Sequence, residues 1–156
     1  MSKVDHYIQG WLRHRLVLLD LLDKVSEEYV AFQPTETSMP LARLAVHIAT
    51  SGDMFVQALK TGKFVRLEAP PKPETMEETR ALVRAITDRN RAEMAEFSDQ
   101  TLEKIIIGKE IFGFDAPGSV WLGSMREHEI HHKGQMFVYV RMTGVTELPF
   151  FMKTDL

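Results

Sequence analysis

Two stretches, one near each end of the chain, repeat inward-type residues in alternating steps of three and four. Val4, Tyr7, Trp11, His14, Leu18, Leu21 and Val25 form the first. Trp121, Met125, His128, His132, Gln135, Tyr139 and Met142 form the second. That spacing holds side chains on one face of an α-helix, whereas a strand would alternate every two residues. A long helix with one apolar stripe must bury it against other helices, so both stretches point to a helical bundle.

The segments between them complete the count. The first helix is expected over residues 4–31, ended by "QPTETSMP" with its two prolines, Pro34 and Pro40. A second helix is expected from about Pro40 to Thr61, with Ser38 as its N-cap and Gly62 as its stop. After the Pro-rich "KFVRLEAPPKPE", a third helix is expected from Thr75 to about Phe97, with Leu82, Val83 and Ile86 inward. Residues 98–117 fit either a short hairpin around Gly108 or an irregular crossover. The last helix should run from near Pro117 to Gly144, followed by a loop that tucks Phe150 and Phe151 onto the bundle. The expectation is an all-α four-helix bundle, one domain over 1–156, with a long crossover before its last helix.

Composition narrows the function. The net charge is −3 and no basic run of five or more occurs, so a nucleic-acid partner held by phosphate neutralisation is not expected. There is no cysteine, which removes disulfides, thiolate ligands and a cysteine nucleophile from consideration. No apolar run approaches the length of a membrane span, and the charged N-terminus lacks a signal-peptide pattern. A soluble cytoplasmic protein is expected.

Three of the six histidines fall within "HEIHH", residues 128–132. His128 and His132 are about 40° apart around a helix and about 6 Å apart along it, so they share a face. They occupy an otherwise apolar seam, while Arg126, Glu129, Lys133 and Arg141 fall on other sides. An unpartnered buried polar group costs about 1–3 kcal/mol, so imidazoles kept there call for a ligand. Neutral imidazoles at i and i+4 can present nitrogens to one metal ion. A third ligand must come from elsewhere. His47 lies among Leu44, Ile48, Met54, Phe55 and Ala58 on the second helix and is the first choice; His14, in the first seam, competes. If the first two helices are antiparallel neighbours, His47 and His14 lie in different layers, which favours His47. His131 points off the seam and suits a supporting or helix-packing role, and His6 is expected in solvent. Ile130 and Phe137, with Gly123 and Gly134 beside them, form an outward apolar strip that suits either a subunit interface or cover by a loop or the tail.

"HEIHHKGQMFVYVRMTG", with "LAVHIATSGDMF" upstream, resembles the DinB/YfiT-like family of metal-dependent four-helix-bundle proteins. The family pattern falls on His47, then on His128, His131, His132, Lys133, Gly134 and Gln135, with Tyr139, Arg141 and Gly144 following. The resemblance implies a divalent metal, Zn²⁺ or Ni²⁺, held by His47, His128 and His132, and a homodimer. It also implies a metal-dependent enzyme acting on a small molecule. Its related activities are thiol-dependent S-transfer, with a low-molecular-weight thiol as cofactor, and hydrolysis. Three neutral nitrogens leave coordination positions open and are compatible with either chemistry, or with a non-catalytic metal-responsive module. Gln135, one turn past His132, is a candidate to orient a ligand or a ligating histidine, and His131 is the remaining candidate acid–base group. Asp53 and Glu129 point away from the histidines on their helices.

Overall fold

A computed structural model describes all 156 residues and is an all-α bundle with four long helices. Helix α1 spans Lys3–Asp23, α2 Leu41–Thr61 and α3 Met76–Ala95. Two short helices follow, α4 at Asp99–Glu103 and α5 at Lys109–Phe112, before α6 at Gly118–Met142. Local chemistry sets most of the ends. Ser2 and Asp5 form a reciprocal capping box on α1, their side chains taking each other's backbone N–H groups at 3.0 and 2.9 Å. Thr75 caps α3 through the N–H of Glu78 at 3.0 Å. Gly62 at φ 87° closes α2 in the left-handed conformation that a side chain would disfavour.

Several expected boundaries shift. The first helix stops at Asp23 rather than running to residue 31; a single 3₁₀ turn, Glu27–Tyr29, follows. Pro40, not Ser38, occupies the N-cap of α2, and Ser38 instead shares a hydrogen bond with Thr35. The ambiguous 98–117 segment combines both options. A two-residue strand β1 (Ile105–Ile106) pairs antiparallel with β2 (Ala116–Pro117), and α5 fills the loop between them. This crossover lies tight against α6. A Cβ on Gly118 would come within 2.3 Å of the Thr101 carbonyl oxygen, so glycine is required where the last helix starts.

The lateral order of the long helices is α1–α6–α2–α3. Helices α1 and α2 each pack against α6 and α3 and face one another across the diagonal. They are therefore not the antiparallel neighbours expected from the sequence. The crossover carries the chain to the slot between α1 and α2, and α6 is buried against both. Its covered arc is correspondingly wide. Leu122, Met125, Glu129, Lys133, Met136 and Val140 are buried, whereas Gln135 and Met142, expected inward, are exposed. Glu129 and Lys133, expected on outward sides, are 2% and 3% exposed.

The core divides into two apolar clusters. One contains Trp11, Phe55, Leu59, Met94, Trp121 and Met125; the other contains Leu18, Leu22, Ile48, Val83, Met136 and Val140. On every long helix the residues between the clusters are polar or small: Arg15 on α1, Ser51 and Gly52 on α2, Thr87 and Asn90 on α3, and Glu129 on α6. The tail does not bury its aromatic pair. Phe150 and Phe151 are 65% and 52% exposed, and it is the backbone that docks, through Lys153 N–H donating to the Arg13 carbonyl at 2.9 Å. No helix is long and apolar enough to cross a membrane.

Candidate metal centre

Helix α2 supplies His47 and helix α6 supplies His128 and His132, and adjacency of these two helices brings the three rings together. His47 Nε2 lies 3.1 Å from His132 Nε2 and 3.2 Å from His128 Nε2. All three rings are half-buried at the edge of the bundle.

The outer ring nitrogens explain this orientation. Gln135 Oε1 accepts the Nδ1–H of His132 at 2.7 Å, and Ser51 Oγ lies 3.5 Å from Nδ1 of His47. A ring that carries its proton on Nδ1 has a bare lone pair on Nε2. For His132 the lone pair on Nε2 thus faces the cluster, and His47 Nε2 cannot donate to both neighbours at once. A divalent cation between them removes the conflict. Metal–nitrogen bonds of 2.0–2.1 Å at tetrahedral angles place nitrogens about 3.3 Å apart, close to the observed spacings. The donor set and its spacing fit a three-histidine site with open coordination positions, able to hold a divalent metal ion.

Charge favours the neutral rings that ligation requires. Burial pushes the His128 imidazole down to about 4, assisted by the neighbouring His132 and His47 rings and by the Arg15 guanidinium. Burial, then His132 and Arg43, also lowers His47. The carboxylates nearest in sequence are engaged elsewhere. Asp53 Oδ1 accepts from Asn90 and Gln57, and its Oδ2 pairs with Arg89 at 2.9 Å.

Glu129 anchors a second polar cluster in the bundle centre. Its Oε1 accepts from Trp11 Nε1 at 3.0 Å and from Arg15 Nε at 2.9 Å, with Arg15 Nη2 at 2.7 Å; Oε2 has no protein partner. The same guanidinium donates to Thr87 Oγ1 at 3.0 Å and reaches the Ile48 carbonyl at 3.4 Å. One arginine of α1 therefore touches α3, α6 and α2, the last two at the residues following His128 and His47. Gly52 makes room for it, since a Cβ there would sit 3.0 Å from Arg15 Nη2.

The remaining candidates separate. His14 is buried but stands outside the cluster: its Nδ1 accepts from Lys133 Nζ at 2.8 Å, and Lys133 also donates to the Phe151 carbonyl. Burial, then Lys133, Arg126 and Arg13, lowers His14 to about 4. His131 is exposed, edge-on to His132 with ring centroids 4.7 Å apart, and His6 is also exposed. Sequence reasoning does not single out Arg15, and it puts Glu129 and Lys133 off the inward seam although both are buried. A signal for two of them exists, because Glu129 and Lys133 continue the steps Leu122–Met125–Glu129–Lys133–Met136–Val140 along α6.

A bundle with this crossover and this histidine set defines the class. A sequence model of the DinB family matches residues 1–155, and the chain belongs to that family. It is 34% identical to the uncharacterized protein YjoA of Bacillus subtilis, covering 98% of this chain and 99% of that one. The uncharacterized protein YrdA of the same organism is 24% identical, over 92% of this chain and 84% of its own. The crystal structure of the DinB-like YjoA superposes with a TM-score of 0.83 over 95% of this chain and 99% of its own, at 31% identity. A DinB-like protein from Bacillus cereus shares the fold at a TM-score of 0.77 and 23% identity, over 94% of this chain and 95% of its own.

Proposed function

We propose that this protein is a metal-dependent enzyme of the thiol-dependent S-transferase type, with His47, His128 and His132 holding a divalent cation. The convergence of three Nε2 atoms, two of them on rings held from behind by Ser51 and Gln135, carries the metal assignment. Zn²⁺ and Ni²⁺ both suit three imidazoles, and availability decides between them. When bound, such an ion supplies Lewis-acid stabilisation of an anionic sulfur. Residues of the chain hold and orient: Gln135 fixes His132, Ser51 supports His47, and the half-buried setting leaves the inner face of the cluster open to a small molecule. His131, exposed beside His132, is the candidate to move a proton.

One feature favours transfer over hydrolysis: Asp53 and Glu129 are both held in other contacts, which leaves no carboxylate base for a metal-bound water. The absence of cysteine is compatible with transfer, in which the nucleophilic sulfur arrives with a small thiol. Protein purified without an affinity tag should carry about one metal ion per chain by elemental analysis, and the His128→Ala, His132→Ala double variant should lose it. Metal retained by that variant refutes the ligand set. Conjugation of a model electrophile should require added thiol; turnover with water alone would make the protein a hydrolase, and no turnover with either would leave a binding module.

The proposal extends to a homodimer. Ile130 stays exposed and a Cβ on Gly123 or Gly134 would meet open space, which supports this face of α6 as the contact, although Phe137 is half-buried, packed on the second core cluster and under Arg141. Light scattering should give a dimer mass that Phe137→Glu reduces. An unchanged dimer in the variant takes this strip out of the interface.

A further inference from the structure

A cleft of about 600 Å³ opens beside the histidine cluster, between α2 and the coil that follows it. His47 lies on its wall; His128 and His132 do not. Met54 and Ile111 give it an apolar side, and Arg43, Arg66 and Glu68 supply its charged groups. Thr50 also lines it, but its hydroxyl already donates to the Val46 carbonyl at 2.8 Å.

Arg43 and Arg66 make no ion pair and no side-chain hydrogen bond, as is also true of Arg13, Arg91, Arg126 and Arg141; what sets these two apart is that they line the cleft that holds His47. Glu68 lines the same cleft without pairing to either. Arg43 precedes His47 by four residues, which places it one turn, about 6 Å, along the same face of α2. Arg66 comes from the coil across the cleft. Two guanidiniums with unused planar forks line one partly apolar space that also has His47 on its wall, in a chain whose net charge is −3. A guanidinium fork matches a carboxylate or phosphate in geometry and charge.

We propose that this cleft binds a small molecule with an apolar body and an anionic group, the anion seated on Arg43 and Arg66 and the opposite end presented at His47. The contact with the arginines stands on its own; the role of the other end rests on the metal reading above. The ligand is thereby narrowed to amphiphilic anions, with neutral apolar compounds excluded as good binders.

Calorimetric titration of the zinc-loaded protein with hexanoate, hexyl phosphate and hexanamide tests this. At least one anion should bind, with hexanamide about tenfold or more weaker. A preference for hexanoate assigns a carboxylate ligand, and a preference for hexyl phosphate assigns a phosphate. Arg43→Gln, Arg66→Gln changes two exposed side chains, should keep zinc content and helicity, and should lower anion affinity about tenfold or more while leaving hexanamide unchanged. Equal binding of amide and anion, undiminished anion binding by the double-arginine variant, or no binding of either anion up to millimolar concentration overturns the proposal. The same titration on the His128→Ala, His132→Ala variant separates the two readings. Arginine-dependent binding that persists there upholds the cleft whether or not the histidines carry metal. Binding that vanishes there but survives loss of the arginines assigns the anion to the metal alone and overturns it.

Discussion

Two polar clusters share neighbouring residues yet differ in almost every physical respect. The pair Arg15–Glu129 sits at the bundle centre, 0% and 2% exposed, and Oε1 of Glu129 takes donors from two side chains. The histidine cluster, on α2 and α6, adjoins it through His128, the residue before Glu129, and is half-buried at the edge with its Nε2 atoms close together. The first balances charge with charge inside the protein. The second has the donors and the spacing to hold a divalent cation. Burial with internal pairing suits a group that holds helices together, and half-burial with nitrogens brought together suits one able to take a ligand.

The largest effect should come from breaking the central pair. Arg15→Ala strands a buried carboxylate and should cost about 3–5 kcal/mol of stability in urea unfolding, while the joint replacement Arg15→Met, Glu129→Leu should recover most of it. A single variant as stable as wild type would show that the centre holds nothing together. At the edge, Gln135→Ala should leave unfolding unchanged but weaken zinc about 10–100-fold in chelator competition, because His132 loses the acceptor that fixes its proton. Unchanged zinc affinity would make Gln135 a bystander.

His14 lies between these extremes. Its folded pKa of about 4 is below the ordinary 6.5. The unfolded chain therefore binds the proton more readily between those values, and stability falls as pH drops from about 6.5 toward 4, then levels off. His14→Gln should be less stable than wild type by about 1.5 kcal/mol at pH 7, and the gap should shrink by pH 4. A gap constant with pH would remove His14 from the acid response. The smallest effect belongs to Ser51→Ala, which at 3.5 Å surrenders a long contact and should weaken zinc only a few-fold by the same competition assay.

Much of this was written along single helices. The steps of three and four, Gly62, Thr75 and the pairing of His128 with His132 are local, and each recurs in the structure near its expected place. What failed was relational. The layer argument favours His47 over His14 only for adjacent α1 and α2. They are diagonal, and His47 meets the α6 histidines because α2 packs on α6, while His14 is engaged by Lys133. A single seam on α6 puts Glu129 and Lys133 outside. A helix wedged between two neighbours buries a wider arc than one seam describes, and the partner that makes Glu129 tolerable lies 114 positions earlier. Phe150 and Phe151 misled for the opposite reason: the tail is held by main-chain bonds, which leave no trace in side-chain hydropathy.

Gly52 constrains how this chain can drift over generations. Its missing side chain is the space through which Arg15 reaches α2, and Arg15 in turn makes a buried acid at position 129 tolerable. None of the three can change alone without penalty, so they should be inherited as a set. Among relatives, an alanine or larger residue at the position of Gly52 should accompany loss of both the arginine and the acid, whatever happens to the histidines beside them.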